Sequence, residues 1–116
     1  MAWLVVNGQV VAEAAIAANA RTRTKGLLGQ ESSVGVLVLE PAGWIHTLGM
    51  RFAIDVAYVD RRGRVLSIKT MKPWRVGIPR LRSRRVLEAT AGSFDKWNLK
   101  AGDEVDITDQ TKPVPQ

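Results

Sequence analysis

Alternating hydrophobic and polar positions divide the chain into short segments of strand length. Residues 3–6 and 9–16 flank Asn7-Gly8, a pair that tolerates the positive φ angles of a two-residue hairpin turn. An uninterrupted apolar run over 34–39 ends at Glu40-Pro41, which predicts a third strand. The first third of the chain therefore has the pattern of a β-rich protein.

Two further strands are predicted around Gly49, over 44–47 and 51–59. In the second, even-numbered and odd-numbered residues should face opposite sides of a sheet, because successive side chains alternate along a strand. The sequence of residues 60–63, Asp-Arg-Arg-Gly, is typical of a tight turn, so 64–71 is expected to return as the hairpin partner.

Turn signals also organise the second half of the chain. Two prolines and a glycine without periodicity predict a loop over 72–83. Strands are expected over 85–91 and 104–108, with Ser93 capping one helical turn over 94–98.

A second short helix is predicted over 20–28, with Asn19 as its N-cap and Gly29 at its end. We therefore predict a mostly β (α+β) fold, a compact small β-sandwich or partly open barrel with two short helices. The length of 116 residues fits one globular domain over 1–108, followed by a flexible tail over 109–116.

Composition narrows the function classes. Hydrophobic residues make up 46% of the chain, an ordinary globular share. Cysteine is absent, which excludes disulfides, cysteine-based zinc sites and thiol nucleophiles within this sequence. The apolar run at the N-terminus is too short for a signal peptide or a membrane span, so we expect a soluble, cytoplasmic protein without a transmembrane segment.

Positive charge is concentrated in one part of the chain. Residues 61–85 hold ten basic side chains and no acidic one, whereas the remainder holds seven basic and eleven acidic residues. The ten are Arg61, Arg62, Arg64, Lys69, Lys72, Arg75, Arg80, Arg82, Arg84 and Arg85.

Three interpretations of this basic segment stay open: a solvated surface, a site for nucleic-acid phosphates with Trp74 available for stacking, or a contact for an acidic protein or anionic lipid surface. The candidate anion- or partner-binding residues are Arg61, Arg62, Arg64, Lys72, Arg75, Arg80, Arg82, Arg84 and Arg85.

Familiar catalytic and phosphate-binding motifs are missing from the sequence. The single histidine, His46, is enough for a Ser–His–acid triad, yet no serine lies in a nucleophile-elbow sequence. His46 is interpreted either as a structural residue near a glycine bend or as a group that contacts a ligand or handles protons. The sequence predicts no metal site and no cofactor.

Two acidic residues interrupt apolar strands. Asp55 and Glu88 each need partners, because burying a bare carboxylate costs several kcal/mol. One interpretation is that each tethers a loop through backbone N–H groups or through Arg51. The other is a pocket for a small ligand or for catalysis, built around Asp55, Glu88 and His46.

Four pieces together resemble the family called domain of unknown function 192. They are Arg23–Gly29, His46–Val56, Val86–Ala89 with Gly92, and Ala101-Gly102-Asp103. The resemblance runs from about Leu4 to Ile107, and its His-Thr-x-Gly-Met-Arg-Phe piece is similar to an actinobacterial branch. It implies a small β-rich fold from bacteria or archaea, without an assigned activity or cofactor.

Two positions depart from the family pattern, Gln30 in place of arginine and Ala53 in place of proline. The first weakens any anion-binding role for the end of the first helix. With no catalytic motif, we expect a non-enzymatic binding or accessory module whose basic loop 72–85 engages an acidic protein or nucleic acid. The small-ligand or enzyme pocket is the alternative. The candidate functional residues are His46, Met50, Arg51, Asp55 and Glu88.

Overall fold

The structure, a computed structural model, describes residues 2–17 and 35–109. The described chain forms seven strands and one short helix. These are β1 (Ala2–Val6), β2 (Gln9–Ala17), β3 (Val36–Leu39), β4 (Ile54–Asp60), β5 (Val65–Met71), β6 (Ser83–Thr90), α1 (Ser93–Lys96) and β7 (Val105–Asp109).

All seven strands belong to one sheet in the order β5-β4-β6-β3-β2-β1-β7. Only the β2–β3 pairing is parallel. The predicted β1–β2 hairpin is confirmed, and Asn7 and Gly8 in its turn have φ angles of 48° and 87°. Positive φ at both central positions matches the right-handed twist of the paired strands.

The two edges of the sheet approach each other, so that the sheet curls. Arg64 before β5 forms an isolated bridge with Glu104 before β7. The amide of Val105 donates to the carbonyl of Gly63 at 2.7 Å, beside that bridge. The fold is therefore a single curled sheet, the half-barrel form of the prediction and not a two-sheet sandwich.

Each face of the sheet carries its own hydrophobic core. On one face, Phe94 of α1 packs with strand residues such as Ala57 and Leu87. On the other, Ile45 and Met50 from the segment before β4 join strand residues that include Val56, Tyr58 and Val86. The predicted alternation along β4 is confirmed, since its even-numbered and odd-numbered residues belong to different cores.

Three local predictions need correction. Residues 44–47 form only one isolated bridge, between His46 and Val76, instead of a strand. The strand predicted from residue 51 begins at Ile54. Ser93 does not cap α1: Gly92 is the N-cap, at φ 94°, and it has no side chain that could form a capping bond. The Asp55 carboxylate from β4 accepts the amide groups of Gly92 and Phe94 instead.

The helix predicted over 20–28 and most of the predicted tail lie outside the described residues. Among the described residues, α1 is the one helix, so the second short helix remains a prediction.

Candidate anion-binding surface

Asp55 is buried on the face of the sheet that α1 covers. Its Oδ2 accepts the backbone N–H groups of Gly92 and Phe94, each at 3.0 Å, and its Oδ1 accepts the hydroxyl of Thr70 at 2.7 Å. A carboxylate that receives several hydrogen bonds can stay buried at an acceptable cost. Asp55 therefore joins β4, β5 and the start of α1, as the tether interpretation expects.

Glu88 lies on the opposite face. It pairs with Val56 across β4 and β6, and its neighbour Val86, two residues earlier on the same side of the strand, belongs to the other core. The sheet therefore separates Glu88 from Asp55, and the two carboxylates do not form an acid–base pair.

Glu88 acts instead on the phenol of Tyr58. Burial raises the pKa of Tyr58 above its ordinary value of 10.0, the guanidinium of Arg80 opposes that rise, and the charge of Glu88 adds to it. The Arg80 guanidinium carbon lies 5.7 Å from the centre of the Tyr58 ring, within the range of a cation–π contact.

His46 is half-buried in the segment before β4. Its Nδ1 accepts the backbone N–H of Leu48 at 3.2 Å, and its ring centre lies 5.4 Å from that of Trp44. Of the neighbouring candidates, Met50 is buried in the core and Arg51 is exposed. Because Asp55 is bonded to the backbone of α1 on the far face, His46, Asp55 and Glu88 do not converge on one pocket.

Thr47 organises this region, and the sequence analysis did not single it out. Its buried hydroxyl donates to the carbonyl of Lys72 at 2.6 Å and accepts the N–H of Arg75 at 2.9 Å. The signal available in the sequence was a threonine between His46 and Leu48, and a lone threonine is common in ordinary strands. Thr47 therefore holds the 72–82 loop against the segment before β4.

The β4–β6 register brings basic residues together. Asp60 at the end of β4 pairs with Ser83 at the start of β6. The turn after β4 therefore lies beside the residues that flank Ser83. An open cavity of about 260 Å³ is lined there by six residues, which we call the four-arginine cavity: Asp60, Arg61, Arg62, Leu81, Arg82 and Arg84.

Asp60 shapes the turn that carries two of these arginines. Its Oδ1 accepts the backbone N–H groups of Arg62 and Arg64, each at 2.9 Å. The hydrogen bond from Arg64 is the main reason that the pKa of Asp60 lies below its ordinary value of 3.8. Asp60 is thus committed to the backbone, and in the described residues the four guanidinium groups form no ion pair with a carboxylate.

A second open cavity, of about 560 Å³, shares the turn residues Arg61 and Arg62 and adds Arg85. Its wall also holds Glu104 and Asp106, so its charge is mixed. Arg85 pairs with Glu40 at 3.1 Å, an ion pair between half-exposed groups that contributes little to stability. The four-arginine cavity is the more uniformly cationic of the two.

The other basic candidates lie elsewhere. Arg64 joins the sheet edges through its backbone, Lys72 and Arg75 flank the Thr47 contacts, and Arg80 covers Tyr58. The structure thus brings four of the nine candidates together and distributes the rest.

No helix within residues 2–17 and 35–109 is long and apolar enough to cross a membrane. The same part of the chain contains no group of three or more histidine, aspartate or glutamate side chains placed to hold a metal ion.

These features define a small curled β-sheet protein with an arginine-lined surface. The chain belongs to the DUF192 family: the family model described as "Uncharacterized ACR, COG1430" matches residues 2–107. The resemblance noted in the sequence is thereby confirmed.

Curated relatives are archaeal and share the family's uncharacterised status. A UPF0127 protein of Pyrococcus horikoshii is 36% identical over 61 residues, which cover 53% of this chain and 53% of the relative. A UPF0127 protein of Thermococcus sibiricus is 30% identical over 73 residues, which cover 61% and 47%. The aligned part of the chain thus spans about half the length of these relatives.

A solved structure supports the fold. A protein of unknown function from Novosphingobium aromaticivorans superimposes with a TM-score of 0.69 at 20% identity, covering 90% of this chain and 83% of that one. Identity at this level establishes a shared fold and no shared activity.

Proposed function

We propose that this protein is a non-enzymatic binding module that engages an acidic partner, a protein or a nucleic acid, through the four-arginine cavity. The observation that carries the proposal is the convergence of Arg61 and Arg62 from the β4–β5 turn with Arg82 and Arg84 from the start of β6. Residues that are 20 to 23 positions apart in sequence line one concavity.

Most of the positive charge on this surface is uncompensated among the described residues, since Asp60 is the one acidic residue that lines the cavity with four arginines. A salt bridge or a buried network would explain an arginine as a structural element, but within the described residues these four guanidinium groups form no ion pair, and only the charge of Arg62 acts on Asp60. Four like charges around one cavity repel each other, which destabilises the folded state unless a counter-charge arrives. An anionic partner supplies that counter-charge.

Arginine suits this task better than lysine does. Its planar guanidinium offers five N–H donors in a fork that matches the paired oxygens of a carboxylate or a phosphate. The cavity is open, so a chain-like anion can pass across it without entering the core. Both classes of acidic partner satisfy this chemistry, and salt dependence and competition tell them apart.

The experiment is a fluorescence anisotropy titration with labelled single-stranded and duplex oligonucleotides, at low and near-physiological salt, with heparin as a competitor. Each phosphate contact contributes about 0.9 to the slope of log K against log salt concentration. We expect the variant Arg62→Gln/Arg82→Gln/Arg84→Gln to lower that slope by about 2 to 3.

A matched control carries the same loss of charge elsewhere: Lys69→Gln/Lys96→Gln/Lys100→Gln, three exposed lysines outside the cavity. It should change the affinity much less. Nucleic acid is the partner class if binding survives physiological salt and resists heparin, and acidic proteins are the class if only heparin and acidic polypeptides bind. An equal loss of affinity in both variants would mean that binding depends only on the total charge, which would contradict the proposal.

A further inference from the structure

Exposed apolar side chains are concentrated in two loops beside the basic surface. Of nine large hydrophobic residues that are exposed in the described chain, seven lie within residues 44–52 and 74–81. They are Trp44, Leu48, Phe52, Trp74, Val76, Ile78 and Leu81. Single exposed apolar residues are ordinary, whereas a cluster of this size marks a surface that another body covers.

Backbone pairing turns the two loops into one element, which we call the apolar arm (residues 44–48 and 74–78). The bridge between His46 and Val76 is closed by a hydrogen bond from the N–H of Thr47 to the carbonyl of Arg75, at 2.8 Å. Along residues 44–48 the side chains alternate, with Ile45 and Thr47 buried and Trp44 exposed. In residues 74–78 only Gly77 is buried, and Val76 and Ile78 are exposed. The arm thus presents an apolar outer face.

Trp74 combines an unfavourable backbone conformation with high solvent exposure, and its own packing does not offset either. Its φ of 61° lies in the left-handed region, which is unfavourable for a bulky residue. Its indole is 65% exposed, so it gains little from burial in return. A strained residue that displays an apolar group to solvent is typical of a functional surface.

Cationic side chains surround this face. Lys72, Arg75 and Arg80 lie between or beside the apolar positions, and no acidic residue occurs from 61 to 85. Leu81, which is 99% exposed, also lines the four-arginine cavity. The apolar and basic surfaces are therefore continuous.

We propose that the apolar arm docks onto an anionic lipid bilayer, with its tryptophan and aliphatic side chains in the interface and the surrounding basic residues against acidic headgroups. Tryptophan prefers the interfacial region, and each basic residue close to an anionic leaflet adds to binding. The protein then lies on the membrane surface without spanning it.

The form of the arm favours a bilayer over other occupants. Branched aliphatic residues such as Leu48, Val76 and Ile78 offer no π-face for stacking nucleic-acid bases. Among the described residues, neither the four-arginine cavity nor the second open cavity is lined by the arm, whereas a tight protein interface centres on an anchor that fills a pocket. A protruding apolar face with a basic border instead matches an anionic membrane surface.

The test is co-sedimentation of the full chain with vesicles of phosphatidylcholine alone and of phosphatidylcholine with about one-third phosphatidylglycerol, a composition chosen to give an anionic surface. We expect binding to the anionic vesicles only. Val76→Ser/Ile78→Ser should lower the partition coefficient by at least tenfold, roughly the effect of losing one buried aliphatic side chain. The matched control is Val10→Ser/Ile16→Ser, which removes two exposed apolar side chains from β2.

Trp74→Gly separates loss of binding from loss of folding, because glycine readily adopts φ 61°. We expect this variant to keep nearly the same stability and to bind vesicles less. Brominated lipids should quench the emission of wild-type protein, and the combined change Trp44→Phe/Trp74→Phe should remove most of that quenching.

The docking proposal is independent of the proposed function. Val76→Ser/Ile78→Ser should bind heparin and oligonucleotides as wild type does, because neither residue lines the four-arginine cavity, so a failure of either proposal is visible without the other. Absence of vesicle binding, equal loss in the β2 control, or binding that ignores the serine changes would each overturn docking. So would a wild-type dimer in sedimentation velocity that these serine changes abolish, because a second copy would then be what covers the arm.

Discussion

The carboxylate of Asp55 lies 3.0 Å from the backbone N–H of Phe94, a hydrogen bond that joins β4 to α1 across 39 positions of sequence. The same oxygen accepts the N–H of Gly92. α1 is a single turn whose N-cap residue is a glycine, which has no side chain to form a capping bond. A residue of the sheet therefore does what a local cap does in longer helices.

Replacing Asp55 should cost stability in proportion to the hydrogen bonds lost. Asp55→Ala leaves buried donors unsatisfied and should lower the free energy of unfolding by about 2 to 4 kcal/mol. Asp55→Asn can still accept the amides of α1 while its NH₂ donates to Thr70, so we expect a loss of about 1 kcal/mol. Urea unfolding measures both.

The exposed acid Asp106 supplies the control, since Asp106→Ala should change stability by less than about 0.5 kcal/mol. Equal effects of Asp55→Ala and Asp55→Asn would contradict the capping role, because they would leave charge and not hydrogen bonding as the cause.

Gly63 is required where the sheet edges meet. A Cβ at this position would lie 2.5 Å from the carbonyl oxygen of Val105, whereas a Cβ at Gly8, which has the same φ of 87°, would meet nothing within 4 Å. Gly8→Ala should therefore cost only the backbone penalty of about 1 to 2 kcal/mol. Gly63→Ala should cost at least about 2 kcal/mol more, because the curled sheet must open.

Chemical denaturation of the two alanine variants gives this difference directly, and backbone amide shifts at Val105 should move in Gly63→Ala alone. Similar costs at both glycines would mean that the contact between the sheet edges yields easily and does not stabilise the curl.

Thr47 should control the stability of the apolar arm. Thr47→Val keeps the shape of the side chain but removes the hydroxyl that bonds to Lys72 and Arg75. We expect a loss of about 1 to 3 kcal/mol, since the partly buried N–H of Arg75 is left without its acceptor. Hydrogen exchange at the Arg75 amide should become faster before exchange in the sheet does.

Thr90→Val is the comparison, because the hydroxyl of Thr90 bonds Ser93 at an exposed position and its removal should cost about 0.5 kcal/mol or less. Slow exchange at Arg75 in Thr47→Val would show that the backbone bridge alone holds the arm.

The absorbance of Tyr58 reports on the core that also contains Val56 and Val86, because Tyr58 is the only tyrosine of the chain. Burial raises its pKa above 10.0, so its absorbance at 295 nm should titrate later than that of a free phenol. The folded pKa lies above the unfolded one, so this contribution to stability is complete below about pH 10 and is lost as the pH rises through the folded pKa.

Arg80→Ala removes the cation that opposes the rise, and it should move the titration to still higher pH. Arg82→Ala removes the same charge from a position that has no described contact with the ring, and it should leave the curve in place. A downward displacement in Arg80→Ala would contradict the assigned cation–π contact.

Several elements could be predicted from local sequence. Asn7-Gly8 determines a hairpin turn because both residues adopt positive φ at low cost, and the alternation over 54–59 determines which side chains share a face because the strand period is two. The strand predicted over 44–47 was wrong: the residues have the pattern of a strand, but their backbone forms only one isolated bridge.

The candidate site depends on contacts between residues that are far apart in the sequence. From the sequence alone, Asp55 and Glu88 could line the same pocket. The β4–β6 pairing aligns Val56 with Glu88, which puts the two acids on opposite faces of the sheet. Likewise, the sequence shows that positive charge is concentrated in residues 61–85, but it does not show which arginines lie close together.

The sequence by itself determined the β-rich class, the first hairpin, the family and the position of the positive charge along the chain, because these depend on short-range backbone preferences and composition. Only the tertiary structure decided that one sheet curls through the bridge between Arg64 and Glu104, that Asp55 caps α1, and that Asp60 pairs with Ser83 to gather four arginines. Strand register is set by the packing of both sheet faces at once, and no short stretch of sequence contains that information.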